Sequence, residues 1–284
     1  MRGTCEGTRA MTRPPPGRSR LIAGVALVLV VGVALLVWQV GRGGGQLDRA
    51  WQRIQADGRI RVGIDPSYPP FEQLNEETGD LAGYDVDLAR EIGRRLTLGV
   101  DFVLVGFDSL YDAVQTGKVD VVISGMPYDP NWTEDVDFGM WYFNAGQFLV
   151  VRQDESAISS VRDLIHRNLG VELGTTGDLE ARRLQKQVDD IHLSPYPTST
   201  AALSALESGE IDAALVDAIS AYLFIAQGGH VRMLDDAVLD ESYAAVTARK
   251  SRQLRAAIDA AILEMKTDGF LDALRDKWLL EKGS

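Results

Sequence analysis

Residues 60–64, Ile60-Arg-Val-Gly-Ile64, read as a largely apolar strand that stops at Asp65 and opens into a proline-rich loop, Asp65-Pro-Ser-Tyr-Pro-Pro-Phe71. Residues 85–96 change to a helical spacing, with Val86, Leu88, Ala89, Ile92 and Leu96 on one face. Asp85 and Asp87 fall in the first turn of this helix and read as capping residues at its positive end. The alternation continues with a strand over 101–105, a helix over 109–116 and a strand over 119–124. Strands alternating with helices predict βα units around a mostly parallel sheet, an α/β fold. In such sheets ligands bind at the carboxyl ends of the strands, where Asp65, Tyr68 and Phe71 follow the first one.

The pattern then repeats. Residues 110–124 run helix, Gly117-Lys, strand, and residues 203–216 run helix, Gly209-Glu, strand. Two lobes of similar design explain the echo. Ser160-Val-Arg-Asp163 has the form of a capping box and would open the second lobe.

The first forty residues are of another kind. Residues 21–38 contain only apolar residues and glycines, and as a helix extended to Val40 the run would rise about 30 Å, enough to cross a bilayer. Arg2, Arg9, Arg13, Arg18 and Arg20 precede it against Glu6, so the positive-inside rule keeps the N-terminus in the cytoplasm and exports the chain beyond Gly41. The run is longer than a signal-peptide core and ends in Trp38-Gln-Val-Gly-Arg-Gly-Gly-Gly45, which favours an uncleaved anchor over a cleaved signal. No cysteine comes after it, which excludes a lipid-anchored lipoprotein. Gly43 to Gly45 read as a flexible tether.

Charge sharpens this division. Residues 1–42 hold six Arg and one Glu, a net +5, which leaves −17 of the total −12 on the remainder. An acidic exported part argues against nucleic acid and against an anionic lipid surface. Cys5 is the single cysteine, so no intramolecular disulfide forms, and His166, His192 and His230 lack partners at metal-ligand spacing. No nucleophile and base pair, phosphate loop or dinucleotide fingerprint is visible; Gly174 and Gly177 lack the lysine of a P-loop. No cofactor, metal or enzymatic activity is expected.

The order of blocks resembles bacterial extracellular solute-binding proteins of family 3, the polar amino-acid receptors of ABC importers. The blocks are Ile60 to Phe71, Gly83-Tyr-Asp-Val-Asp87, Phe107-Asp-Ser-Leu, Gly117 to Met126, Val136-Asp-Phe138, Gly146-Gln147, Gly170 to Thr176, Gly209 to Asp217, Asp268-Gly269 and Lys277-Trp278. The resemblance covers roughly residues 50 to 280 and implies a two-lobed periplasmic-binding-protein-like fold of type II, preceded here by one transmembrane helix. It divides the chain into a cytoplasmic basic tail (1–20), an anchor or signal sequence (21–40), a linker (41–57), lobe one (58–149), lobe two (150–244) and a return to lobe one (245–284). The crossings map near 149–152 and 243–247. The implied partners are a small-molecule ligand and ABC permease subunits. Two alternatives on the same fold are a sensing domain that works with a signalling partner and a cyclohexadienyl-dehydratase-like enzyme.

In the resembling family an Arg late in the loop after Gly-Met takes the ligand's α-carboxylate, and an Asp after the second-lobe strand takes the α-amino group. Asp217 and Gly125 are present at the matching positions. Where that family commonly reads Gly-Met-Thr-Ile-Thr-Pro-Glu-Arg, this chain reads Gly125-Met-Pro-Tyr-Asp-Pro-Asn-Trp132. Trp132 replaces the guanidinium, Asp129 a hydroxyl, and Pro127 has no N–H to donate. A carboxylate in that pose would meet a like charge, at a cost of about 4 kcal/mol at 4 Å and an effective dielectric near 20. Asp65, Asp129, Glu172 and Asp217 with Tyr68, Phe107 and Trp132 would instead form a site for a cation. The opposing reading leaves Asp129 and Glu172 in solvent and Trp132 packing the hinge. Thr175 and Thr176, at a helix start, are the one anion-friendly spot. Trp141 and Tyr142 read as packing residues.

Overall fold

The computed structural model describes residues 48–188 and 190–281. The apolar run at 21–38 lies outside them. Among the described residues no helix is long and apolar enough to cross a membrane.

Two five-stranded sheets carry the fold, and they share one design. Lobe one is built on β1 (Arg59–Ile64), β5 (Gly99–Leu104), β6 (Val121–Val122), β7 (Val136–Asn144) and β13 (Ser242–Ala248), in the order β5-β1-β6-β13-β7. Lobe two is built on β8 (Gln147–Arg152), β9 (Asn168–Glu172), β10 (His192–Tyr196), β11 (Ala213–Asp217) and β12 (Val231–Leu239), in the order β10-β9-β11-β8-β12. In each sheet three neighbouring strands are parallel and the fourth runs against them. The sequence echo falls on the matching strands β6 and β11. Three short strands, β2 (Ser67–Tyr68), β3 (Glu72–Leu74) and β4 (Leu81–Ala82), form a small antiparallel sheet beside β1.

Helices cover both faces of each sheet, which is why the strands are apolar without alternation. In lobe one, Ile54, Leu88, Ile92, Ile258 and Met265 pack one face and Leu110, Val114 and Val246 the other. In lobe two the corresponding layers contain Ala181 and Leu184, and Leu203 and Leu206. The helix Tyr84–Leu96 forms as the spacing predicts, and Ser160 and Asp163 close a capping box on a short 3₁₀ turn.

Three expectations need correction. Residues 49–57, read as linker, form the helix Arg49–Asp57: Asp48 caps its start, Gly58 in the left-handed region (φ 65°) ends it, and Ile54 is fully buried. The crossings fall earlier than mapped, at Ala145-Gly146 between β7 and β8 and at Asp240-Glu241 between β12 and β13. They lie side by side, with the Glu241 and Gly146 N–H groups donating to Asn144 Oδ1 (3.0 and 2.9 Å) and Ala145 N–H to the Glu241 carbonyl (2.9 Å). A Cβ at Gly146 would stand 2.0 Å from the Leu239 carbonyl oxygen, so this approach requires glycine.

The third correction concerns the helix-start carboxylates, neither of which caps. The cap position is Gly83, without a side-chain bond. Asp85 is fully buried and accepts from the Gly125 N–H (2.6 Å) and the Tyr142 hydroxyl (3.1 Å). Asp87 accepts from Lys277 Nζ (2.7 Å) and Trp278 Nε1 (2.9 Å), fastening the turn Asp276–Leu280 to this helix.

Candidate ligand site

The strands β1, β5 and β6 end together, and Asp65 joins the loops that extend from them. Its N–H donates to Ser124 Oγ (3.0 Å), while its carboxylate accepts from the N–H groups of Phe107 (2.7 Å) and Ser67 (3.1 Å). Tyr68 then stacks on Phe71 (centroids 5.3 Å, 11° between planes) and shares a 3.0 Å hydrogen bond with the Tyr243 hydroxyl. Gly125 sits at φ 52° under the Tyr68 ring, where a Cβ would approach that ring to 3.1 Å. A side chain at 125 would therefore be strained twice, by the backbone and by the ring.

Between these groups lies a pocket of about 290 Å³. Asp65, Glu72 and Glu241 supply carboxyl groups to its wall, Tyr68, Phe107 and Tyr243 supply aromatic faces, and among the described residues no Lys or Arg lines it. Burial raises the Glu241 carboxyl above the usual carboxylate range, and the charge of Asp217 raises it further. Tyr68 is raised by the same two causes, burial first.

Glu72, in the pocket wall, and the fully buried Asp85 form a pair of buried acids. Ser124 Oγ donates to Glu72 Oε1 (2.6 Å), and Asp85 Oδ2 takes the Gly125 and Tyr142 donors. Glu72 Oε2 and Asp85 Oδ1 are buried with no hydrogen-bond partner among the described residues, and the charge of Asp85 adds to the effect of burial on Glu72. Burial pushes both acids upward, Glu72 the further, so the pair holds a proton near neutrality.

The sequence-predicted site is brought together only in part. Asp65, Tyr68, Phe107 and Gly125 meet in the pocket. Asp217 does not line it; it caps the helix Ala218–Ala226 through the Ser220 N–H (2.8 Å). Asp129 and Trp132 do not line it. Asp129 caps a 3₁₀ turn, accepting from Asn131 N–H (2.8 Å), and that turn carries Trp132 onto Tyr111 (4.5 Å, 15°) in an apolar layer of lobe one. Glu172 accepts from the Ser199 N–H and hydroxyl (both 2.8 Å) at the start of the helix Ser199–Ser208. Thr175 caps the helix Thr176–Leu184, whose first residue Thr176 is exposed. Tyr142 packs as expected, whereas Trp141 is half exposed.

Glu241, Tyr243 and Glu72 escaped the sequence reading. The first two lie on the second crossing, far along the chain from the loops they meet. Glu72 comes directly after Phe71, and its only local signal was an acid inside an apolar block.

Two matched α/β lobes joined by a double crossing, with a pocket at the strand ends, define the periplasmic-binding-protein-like class. The chain belongs to the bacterial extracellular solute-binding proteins, family 3, whose model matches residues 60–281. It is 27% identical over 264 residues to the L-cystine-binding protein TcyJ of Escherichia coli strain K12, covering 92% of this chain and 95% of that one. It is 28% identical to the arginine-binding extracellular protein ArtP of Bacillus subtilis strain 168, covering 78% and 86%. The crystal structure of the L-cystine solute receptor of Neisseria gonorrhoeae, unliganded and open, shares the fold with a TM-score of 0.71 at 24% identity, over 84% of this chain and 98% of that one.

Proposed function

We propose that this protein captures a small cationic nitrogen compound between its lobes and passes it to the permease of an ABC importer, held at the membrane by the apolar segment 21–38. The observation that carries the ligand reading is the pocket wall, three carboxyl groups and three aromatic faces with no Lys or Arg among the described lining. A cation gains ion pairing from Glu241 and attraction to the faces of Tyr68, Phe107 and Tyr243. An α-carboxylate gains nothing there, because Trp132 occupies the position of the guanidinium and lies against Tyr111. The amino-acid-binding relatives make an amino-acid-like cation the natural class, with diamines, guanidino compounds and quaternary amines in range.

The test is thermal unfolding with agmatine, putrescine, choline, arginine, glutamine and glutamate, since a ligand of the native state raises the midpoint. The cations should raise it and glutamate should not. Tight glutamate binding, with the cations inert, would overturn the reading. Fractionation of cells tests the anchor: recovery of the mature protein in the soluble extracytoplasmic fraction, beginning inside or just after residues 21–38, would refute it.

A further inference from the structure

A second cavity, about 590 Å³, lies against the hinge and takes its walls from both lobes. Trp141, Phe143 and Lys266 line it from lobe one, and Tyr222 and Met233 from lobe two. Its chemistry is the reverse of the strand-end pocket. Lys266 holds its ammonium 3.1 Å from the centre of the Trp141 ring. Burial alone lowers its pKa to about 8, with no carboxylate contributing. Its neighbour Arg275 is already neutralised by Asp272 (2.9 Å) and Asp276 (2.7 Å), and Asp272 and Asp235 are exposed at the rim. Phe143 and Tyr222, 6.5 Å between centroids, add aromatic faces to the wall, and Arg232, which donates to the Glu155 carbonyl (2.6 Å), adds a second cation.

A partly desolvated ammonium without a counter-ion among the described residues, set among aromatic faces, suits an anion that carries an aromatic body. The carboxylate would supply the missing opposite charge, and the ring would displace water from the walls. The single apolar wall of a core would need no such cation, and a surface lysine would extend into solvent. We propose that this hinge cavity is a second binding site, distinct from the strand-end pocket, for a small aromatic carboxylate.

Calorimetry on the full chain with 2-naphthoate as the probe tests the assignment, with 2-naphthamide as its uncharged twin. One saturable site is expected for the acid, with the amide weaker by about tenfold. Lys266→Met should weaken the acid by about the same factor, and Met233→Trp, which fills the cavity from lobe two, should abolish binding. Melting curves show that each variant folds, and agmatine added at saturation should leave a 2-naphthoate site available. Equal affinity for acid and amide, indifference to Lys266→Met or Met233→Trp in a folded variant, displacement of the probe by agmatine with no site left, or no heat up to the solubility limit would each overturn the proposal.

Discussion

The hydroxyls of Tyr68 and Tyr243 meet at 3.0 Å, joining the loop after β1 to the strand that begins at the second crossing. Both are raised above the usual tyrosine range, burial being the first cause, so the bond stays protonated through ordinary pH. Tyr68→Phe and Tyr243→Phe should each cost about 1 kcal/mol of stability, and the double variant little more than one of them, because the pair shares one hydrogen bond. Urea unfolding of the four proteins measures the coupling. Additive losses would show that the hydroxyls act separately.

Glu72 and Asp85 set a pH dependence of opposite sign to that of a surface ion pair. Burial raises Asp85 from 3.8 to about 7, and Glu72 lies higher still. The folded protein therefore keeps protons that the unfolded chain releases near pH 4. The pair's contribution is complete below that pH and is lost progressively as pH rises, through about 7 for Asp85 and about 10 for Glu72. Glu72→Gln, which cannot ionise, should flatten this loss. The difference in unfolding free energy between wild type and variant, measured from pH 4 to 8, should move steadily in favour of the variant. A difference independent of pH would mean that the pair carries no extra proton.

Trp132 belongs to packing. It stacks on Tyr111 in the layer beneath the helix Leu110–Thr116. Trp132→Ala should destabilise the fold by about 2–3 kcal/mol, toward the lower end for a large aromatic because the ring is only partly buried. Affinity for agmatine should change less than twofold. A tenfold loss of affinity with full stability would return Trp132 to the site.

Glu241 is the carboxylate on which the cation reading most depends. Glu241→Gln should weaken agmatine binding by about 1.5–3 kcal/mol, the range for a hydrogen bond to a charged group, and Asp129→Asn should leave it unchanged. Isothermal titration gives both numbers. The reverse result would place the ligand over the loop at 127–132.

The periodic parts of the fold were legible because burial imposes a period that local composition reveals. The helix at 84–96, the strand at 59–64 and the repeat shared by β6 and β11 all announce themselves this way. Asp85 was not legible. An acid in a helix's first turn looks the same whether it faces water or reaches a backbone N–H forty residues away, and the Gly125 contact is visible only after folding. Glu241 and Tyr243 were hidden for the same reason. Trp132 shows the converse: a family position can be read from alignment of blocks, but the side chain placed there obeys its own packing preference. The helix Arg49–Asp57 could have been found from the cap at Asp48, the apolar Trp51 and Ile54, and Gly58 at its end.

Asp48 does more than cap that helix. Its second oxygen accepts from the N–H groups of Gln253 (3.0 Å) and Leu254 (3.3 Å), at the start of the helix Arg252–Thr267. One buried carboxylate thus clamps the place where the backbone enters the fold to the place where the returning chain begins its last long helix, and both belong to lobe one. Any pull or restraint arriving along the backbone at residue 48 is delivered to that lobe alone. Lobe two has no such mooring: its chain connections are the paired crossings, and its helix Ala218–Ala226 rests on lobe one through Ile219 and Tyr222.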